Sequence, residues 1–145
     1  MPIQTVASGS VAYNNFVNGK NEDFLSYLHN GAVQLPATSR GTYGDPGNKV
    51  IAGHSSYRKS STAKYKTNFQ KIIGMEVGEQ VWIYKKNSSG VFTRYVYQVE
   101  ASYNTSAKDI SILYPTTKDQ VTLMTCTPIG GVVGRRIVKA TFVSN

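Results

Sequence analysis

The sequence is poor in cysteine and contains no long hydrophobic run. Cys126 is its only cysteine, so no disulfide bond can form within the chain. The longest apolar runs, such as residues 121–124, are far too short to span a bilayer. The N-terminus carries no charged start followed by an apolar stretch, so no signal peptide is predicted. We therefore expect a soluble domain, either complete or excised from a longer protein.

Acidic residues are also scarce. Eight Asp and Glu residues stand against 16 Lys and Arg residues, which gives a net charge of +8. This excess favours an anionic partner, such as a membrane surface or a cell-wall polymer. Nucleic acid is not a predicted partner, because the sequence has no zinc-finger spacing, aromatic RNP pattern or basic zipper. Between Asp45 and Glu76, six basic residues without an acid among them predict a solvated surface: Lys49, Arg58, Lys59, Lys64, Lys66 and Lys71.

Strand patterns outnumber helical patterns along the chain. Ten tyrosines, five phenylalanines and many valines and isoleucines favour strands. We predict an N-terminal lead-in over residues 1–19, with a short strand at 11–17, and a single domain over residues 20–145. A helix is predicted to begin after Asn21 and to end before Gly31, with shorter helical turns at 69–73 and 109–113. The predicted strands of the domain are residues 49–52, 80–85, 91–101, 121–125 and 135–143.

These strands do not alternate regularly with helices. A hairpin turn at residues 87–90 joins two of them, and neither an internal repeat nor a linker divides the chain in two. Several short strands with little helix are typical of an all-β barrel or a β-rich sandwich. The sequence therefore predicts an all-β fold.

Cys126 lies where a strand gives way to a loop. It follows the apolar run at 121–125 and precedes Thr127, Pro128 and, at 130 and 131, two glycines. A lone cysteine is either a small buried residue or a reactive thiol. A buried cysteine is more at home in the middle of a strand, whereas a nucleophile needs one side open to substrate. Strand ends next to loops provide that opening.

His54 occupies the equivalent place on another strand, directly after residues 50–53. A thiol is a poor nucleophile until it is deprotonated, and a neighbouring imidazole can take its proton. The two side chains meet only if their strands lie close in the sheet; otherwise His54 is an ordinary polar residue at a turn. The second histidine, His29, lies in the predicted helix and is interpreted as structural.

A third candidate lies at the start of the last predicted strand. No marked motif supplies an Asp or Asn behind the histidine, as a papain-like site would require. Arg135, nine residues after Cys126, can instead donate hydrogen bonds to a peptide carbonyl or to the oxyanion that forms on it. Arg136 follows it directly, and strand alternation sends the two side chains to opposite faces. At most one arginine therefore points into a given site, and the alternative is a surface pair at a strand edge.

Three motifs in a fixed order resemble those of the sortase family of cysteine transpeptidases. Residues 121–126, V-T-L-M-T-C, are similar to the sortase signature T-L-x-T-C. Residues 50–54, V-I-A-G-H, resemble the family's histidine motif, and residues 35–38, L-P-A-T, resemble the stretch that precedes it. Residues 135–140, R-R-I-V-K-A, resemble the arginine-bearing final strand. The resemblance covers about residues 20–143.

The resemblance implies roles for individual residues. Cys126 matches the nucleophile, His54 the general acid/base, and Arg135 rather than Arg136 the arginine. Thr125 matches the threonine that helps shape the site. The implied fold of residues 20–145 is a single closed eight-stranded β-barrel with one or two short helices. The implied location is extracytoplasmic, with the full-length protein held to the cell membrane by an N-terminal anchor that this chain lacks.

The reaction implied by the resemblance is transpeptidation. A sorting signal of LPxTG type is cleaved between Thr and Gly through a cysteine thioester, and the acyl group passes to an amine of a cell-wall precursor or a pilin lysine. Some sortases bind calcium, but eight acids without a recognisable cluster predict no cofactor and no calcium dependence here. Subclass features are mixed: the Ala-Gly-His lead resembles class A, whereas Thr127 and Pro128 resemble the pilin or class C type.

Two other functions stay open on the sequence. A cysteine peptidase that passes the acyl group to water would use the same three residues. A non-catalytic cell-wall-binding module would account for the positive charge and the many tyrosines, but it offers no reason for the cysteine motif. Product analysis with an added amine separates the peptidase from the transpeptidase, and thiol alkylation separates the binding module from both.

Overall fold

The computed structural model describes residues 1–20, 22–36, 42–57 and 59–145, so that Asn21, Arg58 and part of the segment at 35–38 lie outside the described residues. The prediction of an all-β fold is confirmed in part: the described residues are mostly β, with short helical segments beside the sheet. Seven strands are present among the described residues: β1 Ile3–Thr5, β2 Ala32–Gln34, β3 Gly47–Ala52, β4 Gln80–Lys86, β5 Phe92–Ser106, β6 Asp119–Thr127 and β7 Gly134–Ser144. The helical segments are α1 Val11–Val17, α2 Glu22–His29 and 3₁₀ helices at Asn68–Gly74 and Ser111–Leu113. None of these described helices is long and apolar enough to cross a membrane.

The strands form one curled sheet in the order β1-β2-β3-β6-β7-β5-β4. β3 and β6 run parallel near its centre, whereas β6, β7, β5 and β4 are antiparallel neighbours. The predicted closed eight-stranded barrel is not confirmed, because the described sheet has seven strands with β1 and β4 as its two edges. A barrel closes only when its edge strands pair. Here both edge strands line a groove of about 1380 Å³, and the sheet is a half-barrel.

The central strands are buried on both faces. In β3, Ile51 packs into a large cluster with residues of β5, β6, β7 and the first 3₁₀ helix. Its neighbours Val50 and Ala52 pack into a second cluster with Leu28 of α2. Continuous apolar runs are typical of strands covered on both sides. The run that leads to His54 is therefore anchored in the core, and so is the β6 run that leads to Cys126.

The N-terminal segment differs from its prediction. Residues 11–17 form helix α1 instead of a strand, because Ser10 caps them: its Oγ accepts a hydrogen bond from the Tyr13 N–H at 3.1 Å. The helix predicted to end before Gly31 is confirmed as α2, and the other predicted strands and helical turns are found with bounds shifted by a few residues. The sequence pattern missed β1 and β2, which have three residues each and pair with one another.

A buried ionic cluster, formed by Lys49, Tyr97 and Asp119, lies at the beginning of β3 and β6. The Lys49 Nζ donates to an Asp119 carboxylate oxygen at 2.7 Å, and both side chains are almost fully buried. The Tyr97 hydroxyl lies 3.0 and 3.1 Å from the two Asp119 oxygens. Burial, and then the Asp119 charge, raise the pKa of Tyr97 above its ordinary value. The prediction of a solvated surface is therefore wrong for Lys49, which is a paired core residue.

Candidate active site

Two parallel strands deliver His54 and Cys126 to the same end of the sheet. Ala52, the last residue of β3, pairs with Met124 of β6, and the Gly53 N–H donates to the Met124 carbonyl at 3.1 Å. His54 follows Ala52 by two residues, as Cys126 follows Met124. Because parallel strands keep their register, the two side chains emerge side by side. Both line one cavity.

Arg135 reaches the same cavity from β7. It is the direct cross-strand partner of Cys126 in the antiparallel β6–β7 pair, so the two side chains share one face of the sheet. Its guanidinium donates to the carbonyls of Val132 and Gly134, both at 2.9 Å. These contacts hold the arginine beside the loop that joins β6 to β7.

Arg136 points to the opposite face. Its guanidinium donates to the Ser102 hydroxyl at 2.6 Å and to the Met75 carbonyl at 3.3 Å. A third contact, also of 3.3 Å, reaches the Asn104 amide oxygen. Because side chains alternate along the strand, Arg135 lies at the cavity and Arg136 contacts β5 and the segment after the first 3₁₀ helix.

Three hydroxyl contacts join the segment after β3 to the end of β6 and the loop that follows it. The buried Thr125 hydroxyl donates to the Gly53 carbonyl at 2.6 Å, and the buried Ser55 hydroxyl donates to the Cys126 carbonyl at 2.8 Å. On the far side of the cysteine, the Gly130 N–H donates to the Ser56 hydroxyl at 2.8 Å. Each contact crosses between the two segments, so together they fix the distance between the histidine and the cysteine.

The environment of His54 favours its neutral form. Burial is the main cause that lowers the pKa of His54 below the ordinary value, and the nearby His29 adds to the effect by charge repulsion. A neutral imidazole can accept a proton from a thiol. Cys126, the free thiol beside it, is partly exposed and open to the cavity.

The cavity has a volume of about 1100 Å³. Its apolar walls come from α2, the residue after β2, β3, β6, the β6–β7 loop and the region of the second 3₁₀ helix, while Cys126, His54 and Arg135 supply polar groups. This combination suits an extended peptide with apolar side chains and one carbonyl placed among the polar groups. Its apolar lining includes Leu28, Leu35, Ala52, Ile110, Ile112, Leu113, Met124 and Val132.

Several residues of the site were missed by the sequence reasoning. Ser55, Ser56 and Tyr57 follow His54 directly, but their small motif carries no signal of its own. His29, interpreted as structural, lies next to His54, with 5.9 Å between the ring centroids. Within the described part of the chain, no group of three or more His, Cys, Asp or Glu residues is arranged to hold a metal ion.

Comparison with known proteins gives a family match over most of the chain. A model described as the Sortase domain matches residues 8–143. No curated protein matches the chain. Among solved structures, the sortase C1 of GBS pilus island 1 is 25% identical with a TM-score of 0.67, covering 83% of this chain and 55% of its own.

Two further structures share the fold. Sortase C1 from Streptococcus agalactiae is 22% identical with a TM-score of 0.71, and the match covers 99% of this chain and 61% of that one. Sortase A from Listeria monocytogenes is 17% identical with a TM-score of 0.65, with 98% and 77% covered. This chain thus spans 55% and 61% of the lengths of the two sortase C1 structures.

Proposed function

This chain belongs to the sortase family, and we propose that it cleaves an LPxTG-like sorting signal between Thr and Gly and transfers the new acyl end to an amine. The observation that carries the proposal is the convergence of Cys126, His54 and Arg135 on one cavity from three different strands or strand ends. A thiol, an imidazole and a guanidinium around one cavity are the groups that acyl transfer from a peptide requires.

In the first half-reaction, His54 takes the proton of the Cys126 thiol and the sulfur attacks the threonine carbonyl of the signal. The carbonyl π electrons move to oxygen, and the Arg135 guanidinium donates hydrogen bonds to this oxyanion. When the oxyanion collapses, the bond between the threonine carbon and the glycine nitrogen breaks. His54 gives its proton to the leaving glycine amine, and a thioester on Cys126 remains.

In the second half-reaction, an amine attacks the thioester carbonyl and His54 accepts a proton from the amine. An amide bond forms as the carbon–sulfur bond breaks, and His54 returns its proton to the leaving sulfur, which restores the thiol of Cys126. The acceptor in this proposal is an amine of a cell-wall precursor or a pilin lysine. The reaction takes place outside the cytoplasm, with the full-length protein held at the cell membrane.

Thr125 has a supporting role in this proposal. Its hydroxyl contact to the Gly53 carbonyl, at 2.6 Å, ties the residue before the cysteine to the residue before the histidine. No step of the reaction needs a metal or an organic cofactor, so we propose a cofactor-free enzyme that does not depend on calcium.

Incubation with a panel of sorting peptides and amine acceptors, read by mass spectrometry, tests this function. We expect a product in which the signal's threonine is joined to the added amine. If the peptide is only hydrolysed with or without amine, the enzyme is a cysteine peptidase. If the chain turns over no peptide and iodoacetamide leaves its binding to cell walls unchanged, the chain is a non-catalytic binding module and the proposal is wrong.

A further inference from the structure

A second imidazole lies close to His54. His29, the last residue of α2, has its ring centroid 5.9 Å from that of His54. Tyr57 contacts both rings, with centroid distances of 4.7 Å to His29 and 4.7 Å to His54. The rings are tilted by 59° and 31° in these two pairs. The three side chains form an aromatic triplet, to which α2 contributes His29 and the segment after β3 contributes His54 and Tyr57.

The polar atoms of this triplet are unusual. The Nε2 atoms of both His29 and His54 are buried and have no hydrogen-bond partner among the residues that the structure describes. Buried polar atoms normally have a partner, so an orphaned atom calls for an explanation. At His54, the proposed proton transfer supplies one. At His29, packing alone does not explain why a titratable ring stands where a phenylalanine would fill the same space.

Charge gives His29 an effect that a phenylalanine would lack. Two protonated imidazoles at this separation repel each other, and repulsion from His29 is the second cause, after burial, that lowers the pKa of His54. The other described ionisable groups around His54 are Tyr57 of the same triplet and, on the cavity wall, Cys126, Arg135 and Asp109. Among the charged or titratable groups named here, His29 alone comes from α2.

We propose that His29 is a positioning residue for His54: its ring, acting with Tyr57, holds the His54 imidazole at the cavity, where the two imidazoles are close enough for a charge on one to act on the other. This inference rests on the proposed function for its catalytic consequence. The physical coupling between the two rings does not depend on that function and is measurable without any substrate.

A histidine NMR titration separates charge from packing. His29→Gln removes the charge and keeps a polar side chain, so the pKa of His54 should rise towards its ordinary value because one source of repulsion is gone. Asn30→Ala, a change at the exposed next residue, serves as the control and should leave the titration of His54 unchanged. If the pKa of His54 stays or falls in His29→Gln, the coupling does not exist and the proposal is overturned.

Steady-state kinetics at the pH optimum tests the ring. His29→Phe keeps an aromatic ring beside Tyr57 and should retain kcat within about twofold. His29→Ala removes the ring and should lower kcat about 10-fold with little change in KM. This loss is a fraction of the ~10²-fold that a 1 Å misplacement can cost. Equal losses in both variants, or no loss in His29→Ala, would overturn the positioning role. If His29→Ala does not fold, the Phe variant and the titration decide. If the wild-type protein transfers no acyl group, the proposed function fails, and the titration alone decides this inference.

Discussion

The two ends of the β3–β6 strand pair use polar residues in opposite ways. At the beginning of the strands, the ionic cluster of Lys49, Tyr97 and Asp119 has almost fully buried side chains that are paired with one another. At the other end, His54 and Cys126 are partly exposed at a cavity, and the buried Nε2 of His54 has no partner within the described residues. The same apolar strand cores connect the two ends.

The difference shows how one pair of strands can serve stability and chemistry separately. A buried charge must be paired, so the ionic cluster is sensitive to the loss of any one partner. A group that exchanges protons with a substrate must keep hydrogen-bonding capacity free, and the cavity end does so. Changes at the cavity end should therefore alter turnover, and changes at the ionic cluster should alter the free energy of unfolding.

Removal of the thiol should have the largest effect. In Cys126→Ala, kcat/KM should fall by ~10⁴-fold or more, because loss of a nucleophile removes the covalent route. The melting temperature should stay nearly unchanged, since the side chain is partly exposed at a strand end. Peptide turnover and a thermal melt measure the two quantities. Wild-type turnover in the alanine variant would show that the cavity end of the strand pair does not provide the nucleophile.

Loss of the buried lysine charge should have the second-largest effect, and it should act on the stability of the fold. Lys49→Met leaves the Asp119 carboxylate buried without its partner, so the free energy of unfolding should fall by about 3–5 kcal/mol. Activity per folded molecule should not change. Chemical denaturation measures the loss, and Lys71→Met, a change at an exposed lysine, should stay within about 0.5 kcal/mol of the wild type. A small effect at Lys49 would mean that the ionic cluster does not stabilise the fold.

The two adjacent arginines provide a matched pair. Arg135→Ala should lower kcat by ~10²-fold, the scale of losing an oxyanion donor. Arg136→Ala should mainly destabilise the fold, because its guanidinium contacts Ser102 and Met75 on the other face of the sheet. Kinetics and melts of both variants measure this. A crippling loss of kcat in Arg136→Ala with an active Arg135→Ala would reverse the assignment.

The contact between Ser55 and the cysteine backbone should have a smaller effect. Ser55→Ala leaves the Cys126 carbonyl without its 2.8 Å donor, which should lower the free energy of unfolding by about 1–2 kcal/mol. Because this contact also fixes the distance between His54 and Cys126, kcat should fall several-fold. The same measurements on Ser56→Ala report on the neighbouring loop contact, which also helps to fix this distance. An unchanged kcat in Ser55→Ala would show that the hydroxyl only stabilises the fold.

The pH dependence of stability should show the smallest effect. The pKa of His54 is lowered by folding from an ordinary value of 6.5. Above that value the imidazole is neutral in both the folded and the unfolded chain. As the pH falls below it, the unfolded chain binds the proton first, so the free energy of unfolding decreases until the folded pKa is passed.

Chemical denaturation at several pH values, with His54→Gln as the reference, measures this contribution. The wild type should lose more stability than the variant between neutral and mildly acidic pH. The difference between the two proteins reports the contribution of the His54 imidazole. Equal slopes in the two proteins would contradict the lowered pKa.

The central strands and α2 followed from local patterns, because buried strands need continuous apolar runs and a glycine follows two residues after the end of α2. β1 and β2 could not be predicted, since three-residue strands are defined by their pairing. The buried state of Lys49 was missed for a similar reason: its partner Asp119 lies 70 residues away. The meeting of His54, Cys126 and Arg135 was predicted from strand ends together with the resemblance to sortases, whereas the contact with His29 depends on how α2 packs. Their catalytic roles stay predictions.

The most direct test of the central claim is the mass of the enzyme after incubation with an LPxTG-type peptide and a rapid acid quench without added amine. We predict that the wild-type protein gains the mass of the peptide up to its threonine, and that digestion locates the adduct on the segment that contains Cys126. Cys126→Ala should gain nothing. An adduct on another residue, or the same gain in the alanine variant, would contradict the account.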